Sequence, residues 1–263
     1  MSSLDSLIQA PNGTKLWLLD LGYIDLTEPF LLRYALSNAS RELVFISALI
    51  EHPSAGLILF DTGSSRADKH LQKNYDPSQE LDAAIASTGN SITDVRTVVV
   101  SHMHADHAGG LDHFRNNTDV EIYIHETELK HAFHAAATTN DMVDVYNPAY
   151  HTFDLNWRTF AGDKFELAQG ITLHHAPGHT PGLSVMQVNL QDSGTWIFTS
   201  DQYHVHENFE ENRPQGYLLR DDEAWKRSNQ MIHGLQKRTG ANLVFGHDKG
   251  VFNGYFNSQV PYA

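Results

Sequence analysis

Cysteine is absent from the 263 residues. That absence removes disulfides, thiolate zinc sites and a cysteine nucleophile, and leaves histidine and carboxylate as the available metal ligands. Long apolar runs are missing too: none approaches the roughly 20 residues that a membrane-spanning helix requires, so no membrane partner is expected. The opening MSSLDSLIQAPNG has no basic segment followed by an apolar one. It does not read as a secretory leader, and the cytoplasm is the default expectation. Basic residues are scarce: 18 Lys and Arg against 32 Asp and Glu give a formal net charge of -14. No basic cluster stands ready to neutralise phosphates, so nucleic acid is not an expected partner.

What is present is the composition of a folded globular protein, 41% hydrophobic and 10% aromatic, long enough to bury one sizeable core. Short β-branched and aromatic runs start at Lys15, Glu42, Gly56, Arg96 and Val120, and a second series starts at Ile171, Leu183, Thr195 and Ala241; each reads as a strand. Helical periodicity is clearest over 222–238, where Trp225, Ser228, Ile232 and Leu235 share a face, acidic residues lead, basic residues follow and Gly240 supplies a stop. Weaker helical patterns cover 79–88 and 126–137, and the irregular stretch 138–157 is a candidate lid or pocket wall. No internal repeat or charged linker divides the chain, so one α/β domain over 1–263 is expected.

The chemistry-bearing residues begin with SHMHADHAGG at 101–110. If that loop is extended, alternation places His102, His104 and Asp106 on one side and His107 on the other. APGHTPG holds His179 between turn-forming residues, and two apolar runs end in Asp201 and His247. Five histidines and two carboxylates form a nitrogen and oxygen donor set suited to zinc, manganese or iron, with an aspartate able to bridge two ions. His131, His134, His174 and His175 lie outside this pattern and read as polar surface or satisfied core groups.

The order HxHxDH, later His, Asp, final His resembles the metallo-β-lactamase superfamily over nearly the whole chain. The resemblance implies a four-layer αβ/βα sandwich with two metals, taken here as Zn2+ with Mn2+ or Fe2+ as alternatives, at one sheet edge. It implies one metal on His102, His104 and His179, a second on Asp106, His107 and His247, and Asp201 bridging them. It also places Asp61 of LILFDTG beside the site as a group that orients a ligand, with Gly109 and Gly110 allowing a close approach of the loop to its helix.

Within the superfamily, the absence of cysteine disfavours the classical β-lactamases, and His104 in place of glutamate disfavours the diiron flavoproteins. Only 16 residues follow His247, which leaves no room for the helical domain of glyoxalase II, and the acidity opposes an RNA-processing role. LWLLDLG, DTG, SHMHADHAGG, PGHTPG, SDQYHVHENFE and FGHD resemble, in order and spacing, the blocks of N-acyl homoserine lactonases, which open a five-membered lactone. One departure stands out: where that group usually has a tyrosine contacting the substrate carbonyl, this chain has His204. The expected catalytic residues are therefore Asp106, as a proton shuttle, and His204, whose alternative is a solvent-facing loop histidine. Tyr203, His206 and Phe209 are further candidate pocket residues. An imidazole with an unperturbed pKa near ~6.5 can donate to a departing nitrogen as well as to a carbonyl oxygen. The substrate is thus expected to be a small cyclic ester, with a γ-lactam or cyclic carbamate as the alternative and an iron-dependent sulfur dioxygenase as a more distant one.

Overall fold

The computed structural model describes residues 7–64, 75–76, 79–138, 146, 150–257 and 259–263. Its first sheet contains β1 (Lys15–Thr27), β2 (Ser40–His52), β3 (Gly56–Phe60), β4 (Tyr75–Asp76), β5 (Val95–Val99), β6 (Glu121–His125) and β7 (Trp157–Phe160), in the order β4-β1-β2-β3-β5-β6-β7. The second contains β8 (Lys164–Ala168), β9 (Ile171–His175), β10 (Ser184–Asn189), β11 (Thr195–Ser200) and β12 (Asn242–Phe245), in the order β12-β11-β10-β9-β8. Seven α-helices accompany them among the described residues: α1 (Glu28–Leu31), α2 (Leu81–Ser87), α3 (Ala105–Ala108), α4 (Glu126–Thr138), α5 (His206–Glu210), α6 (Asp222–Thr239) and α7 (Lys249–Tyr255).

Strand alternation explains the layering, because successive side chains leave opposite faces of a sheet. In β3, Leu57 and Leu59 face outward into a cluster with Ala84 and Ile85 of α2 and Ala132 of α4, whereas Ile58 and Phe60 face inward. The inward residues meet Leu173 of β9, Met186 of β10 and Phe198 of β11 between the two sheets. On the far side of the second sheet, Val185, Ile197 and Leu243 pack against Trp225, Ile232 and Leu235 of α6. Three apolar clusters therefore separate four layers, helix, sheet, sheet and helix, which is the expected αβ/βα sandwich.

Helix α6 forms where its periodicity placed it. Asp221 caps its start by accepting from Ala224 N, Lys237 and Arg238 complement its end, and Gly240 closes it in the left-handed region at φ +65°. The weaker patterns also become helices, at α2 and α4. Three strands, the two-residue β4 together with β7 and β8, stand where no strand was expected. Half of the candidate lid, residues 139–145 and 147–149, lies outside the described residues. No helix among the described residues is long and apolar enough to cross a membrane.

Topology positions the site. β3, β5, β6 and β7 run parallel, as do β11 and β12, so the carboxyl ends of β3, β5, β11 and β12 open at one edge of the sandwich. Loops there are free to carry chemistry while the strands hold their bases.

Two substitutions test this packing. Leu173→Ala, in the apolar layer between the sheets, is expected to lower the free energy of unfolding by about 2–5 kcal/mol. Gly240→Ala meets no neighbour within 4 Å, so its cost is the left-handed backbone alone, about 1–2 kcal/mol. Urea denaturation checks both; equal and negligible shifts would contradict the layer assignment.

Candidate metal centre

The site is built from strand ends. After β3, Asp61 turns the chain with φ +58°; after β5 come Ser101, His102 and His104; β11 ends in Ser200, φ +45°, followed by Asp201; and β12 leads to His247. His179 sits in the turn between β9 and β10. His102, His104, His107, His179, Asp201 and His247 are all buried, and Asp106 keeps 19% of its side chain exposed.

Distances divide these residues into two clusters sharing one carboxylate. His102, His104, His179 and Asp201 present donor atoms within 4.8 Å of one another, as do Asp106, His107, Asp201 and His247. Asp201 faces both: its Oδ2 lies 3.3 Å from His179 Nε2 and 3.9 Å from His102 Nε2, and its Oδ1 lies 3.1 Å from His107 Nε2 and 3.0 Å from His247 Nε2. Asp106 Oδ2 is 3.5 Å from His247 Nε2 and 3.8 Å from His107 Nε2.

These two clusters replace the simple alternation of the loop. Alternation put Asp106 with His102 and His104, but the extended backbone ends at His104, and α3 begins at Ala105. A helical turn then swings Asp106 and His107 together into the second cluster, the grouping that the superfamily resemblance implies.

Hydrogen bonds behind the histidines determine which ring nitrogen faces inward. His107 Nδ1 is 2.9 Å from Asp61 Oδ2, His247 Nδ1 is 3.0 Å from the Val44 carbonyl, and His102 Nδ1 is 3.0 Å from Ser101 Oγ. Ser101 in turn donates its backbone N–H and its hydroxyl to the two oxygens of Asp61, both at 2.7 Å. A carbonyl or carboxylate can only accept, so His107 and His247 carry a proton on Nδ1 and turn Nε2 toward the site. His102 Nε2, His107 Nε2 and Asp201 Oδ1 are buried without any hydrogen-bond partner. His104 Nδ1 and His179 Nε2 converge to 3.0 Å. Buried nitrogen and oxygen donors aimed at common points are a donor set that suits divalent cations.

His204 also turns inward. It is buried, with Nε2 3.2 Å from Asp201 Oδ2, which removes the solvent-facing alternative. The other pocket candidates are placed elsewhere. Tyr203 is buried against α6, donating its hydroxyl to Asn229 at 2.6 Å, and Phe209 stacks on His233 at 3.9 Å between ring centroids. His206 points to Asp248, 2.6 Å away, beside a separate surface depression. His174 bonds Gln187, and His175 bonds the Pro181 carbonyl and stacks on His125, so neither joins the donor set. His131 lies edge-on to Tyr146, and His134 joins neither cluster.

A cavity of about 150 Å³ reaches the clusters. His104, Asp106, Asp201, His204 and His247 line its floor; Ile24, Leu26, Phe30, Leu31, Leu43, Phe45 and Leu218 form its walls. The sequence signalled the floor but not the walls, since strand residues facing a cavity follow the same alternation as strand residues facing a core.

The clusters differ in charge. Burial holds His102 and His179 well below the ordinary imidazole range and lowers His104 to about 4. Burial also opposes charge on His107 and His247, but Asp201 and Asp106, with Asp61 acting on His107, outweigh it and raise both. The histidines of the first cluster therefore offer bare lone pairs at neutral pH, while a cation entering the second displaces protons from His107 and His247. Acidification from pH 8 to 5 is expected to release the second-cluster ion before the first. Equilibrium dialysis with elemental analysis checks this, and loss of both ions at one pH would contradict it.

Comparison with known proteins follows the same lines. The sequence profile of the metallo-β-lactamase superfamily matches residues 47–247. N-acyl homoserine lactonase AiiB of Agrobacterium fabrum is 27% identical over 266 aligned residues, covering 91% of this chain and 95% of its own. The structure of Bacillus thuringiensis AiiA with N-decanoyl-L-homoserine bound at its active site superimposes with a TM-score of 0.77 at 24% identity, covering 91% of this chain and 95% of that one. AidC, a dizinc quorum-quenching lactonase in complex with a product, gives a TM-score of 0.73 at 18% identity, covering 93% and 92%. The profile match spans well over half the sequence, and the chain belongs to the metallo-β-lactamase superfamily.

Proposed function

We propose that this chain, a metal-dependent hydrolase, opens the lactone ring of a small amphiphilic ester of the N-acyl homoserine lactone class, using a dinuclear zinc centre. The observation that carries the reading is the cavity: histidines and carboxylates on its floor, leucine, isoleucine and phenylalanine on its walls. A polar ring bearing an apolar acyl chain matches both halves, since pockets of this kind use apolar walls for affinity and a few polar groups for orientation. Relatives that act on acyl homoserine lactones support it.

Residues take the following roles. His102, His104 and His179 would hold one cation and Asp106, His107 and His247 the other, with Asp201 a donor common to both groups. Cations held there would supply a water whose pKa is lowered toward ~7 and would polarise the scissile carbonyl. Asp106, partly exposed at the mouth of the second cluster, accepts the proton of the attacking water and returns it to the departing oxygen. His204, in hydrogen-bond reach of Asp201, donates to the carbonyl oxygen of the substrate as negative charge gathers there. The apolar walls hold the acyl chain and exclude water from the reacting centre.

The position of His204 favours a second reading, the opening of a γ-lactam or cyclic carbamate. A histidine side chain serves as a general acid toward a departing nitrogen more readily than a tyrosine hydroxyl does, and His204 lines the cavity beside Asp201. The complete second cluster weighs against the dioxygenase alternative.

Purified protein loaded with Zn2+ and assayed against N-acyl homoserine lactones, γ-lactams, cyclic carbamates and thioesters separates these readings. Lactones are expected to be turned over fastest; exclusive turnover of thioesters would overturn both. Asp201→Asn is expected to cost at least about 10³-fold in kcat/KM by weakening both ions. His204→Ala is expected to lower kcat about 10²-fold, within the range for one general acid or one oxyanion donor, and to leave metal content unchanged. A His204→Ala variant with full activity would remove that residue from the reaction.

A further inference from the structure

We infer that Glu128 of α4 is the positioning residue that holds the first metal cluster together, a reading that rests on the site being a dinuclear metal centre. Glu128 is fully buried among residues of the first apolar layer. Its Oε1 accepts from the backbone N–H of Met103, at 3.0 Å, and its Oε2 accepts from the backbone N–H of Gly182, also at 3.0 Å. Met103 lies between His102 and His104, and Gly182 closes the turn that carries His179. One carboxylate thus fastens the two separate loops whose histidines make up the first cluster.

Two further contacts make the arrangement specific. Tyr146 donates its hydroxyl to Glu128 Oε1 at 3.1 Å and lays its ring 5.1 Å from that of His104. Gly182 packs backbone to backbone on the helix, for a Cβ there would fall 2.2 Å from Glu128 N and 2.4 Å from Glu128 Cβ. The loop is therefore pressed onto α4 at the point where the carboxylate receives it. Helix α4 touches no donor of the second cluster through this residue. Asp106, His107 and His247 depend instead on Asp61, on the turn of α3 and on the Val44 carbonyl.

A carboxylate accepts at both oxygens, whereas an amide accepts at one and presents N–H groups at the other. Glu128→Gln keeps shape and sets a donor against one of the two backbone N–H groups, loosening one loop from the other. Loss of an outer partner of metal ligands typically weakens metal binding about 10- to 100-fold. The effect should fall on the first cluster alone.

The test measures Zn2+ affinity by chelator competition in two backgrounds: His247→Ala, which breaks the second cluster, and His179→Ala, which breaks the first. Glu128→Gln is expected to weaken binding about 10- to 100-fold in the His247→Ala background and less than about threefold in the His179→Ala background. Glu128→Asp, which keeps both acceptors but withdraws them by one methylene, is expected to fall between wild type and Glu128→Gln, and it serves as the readout if Glu128→Gln does not fold. Thermal unfolding of the ion-free proteins provides a second readout, with a shift common to both backgrounds. Equal weakening in the two backgrounds, or none in either, overturns the role of Glu128. If the unsubstituted chain binds no Zn2+ at all, the metal-centre reading falls, and this inference with it.

Discussion

A single buried carboxylate organises the site. Asp201 is almost wholly removed from water, and four imidazoles, those of His107, His179, His204 and His247, approach its two oxygens to 3.0–3.3 Å. A buried anion persists only when surrounding charge or hydrogen bonds offset the loss of hydration. Burial opposes its charge, but the neighbouring histidines, chiefly His247, His107 and His204, outweigh that and hold Asp201 well below the usual carboxylate range. The same geometry makes Asp201 the only donor shared by both clusters, so its position sets their separation.

That position follows from chain topology. The two parallel strand pairs end at one edge, and each sends a residue into the left-handed region just before the chemistry begins: Asp61 after β3 and Ser200 at the end of β11. Such conformations cost roughly 1–2 kcal/mol for a residue with a Cβ and persist where surrounding structure over-determines them. Asp61 is over-determined by three hydrogen bonds to Ser101 and His107. Ser200 is held by its hydroxyl, 2.7 Å from that of Ser101.

Much of this was legible in the residues. His102, His104, Asp106, His107, His179, Asp201 and His247 sit in glycine- and proline-punctuated turns at the ends of apolar runs, and the structure gathers all seven. The grouping within SHMHADH was not readable from alternation, because nothing in the local pattern says that the strand geometry stops at His104. Tyr203 and His204 show the same limit: adjacent residues in a turn diverge, one into the α6 interface and one onto Asp201. β7 and β8 escaped because they are sheet edges with little burial, so apolar residues do not alternate there. Glu128 was hidden within a helical pattern, since a carboxylate in a helix ordinarily faces solvent and only the tertiary contact with two loops distinguishes it.

The hydroxyls of Ser101 and Ser200 link the sheets at their shared edge, 2.7 Å apart, bracing the strand ends from which the donor loops leave. Ser101 Oγ donates to Asp61 Oδ2, so it is left to accept from Ser200 Oγ and from His102 Nδ1. The chain Asp61–Ser101–His102 orients one ligand of the first cluster, while Asp61 orients His107 of the second directly. One carboxylate at the end of β3 thus directs a lone pair into each cluster, and one hydroxyl carries that control from the first sheet to the second. Precision at the centre depends on strand ends cross-braced by short polar side chains, with the loops contributing only the donors themselves.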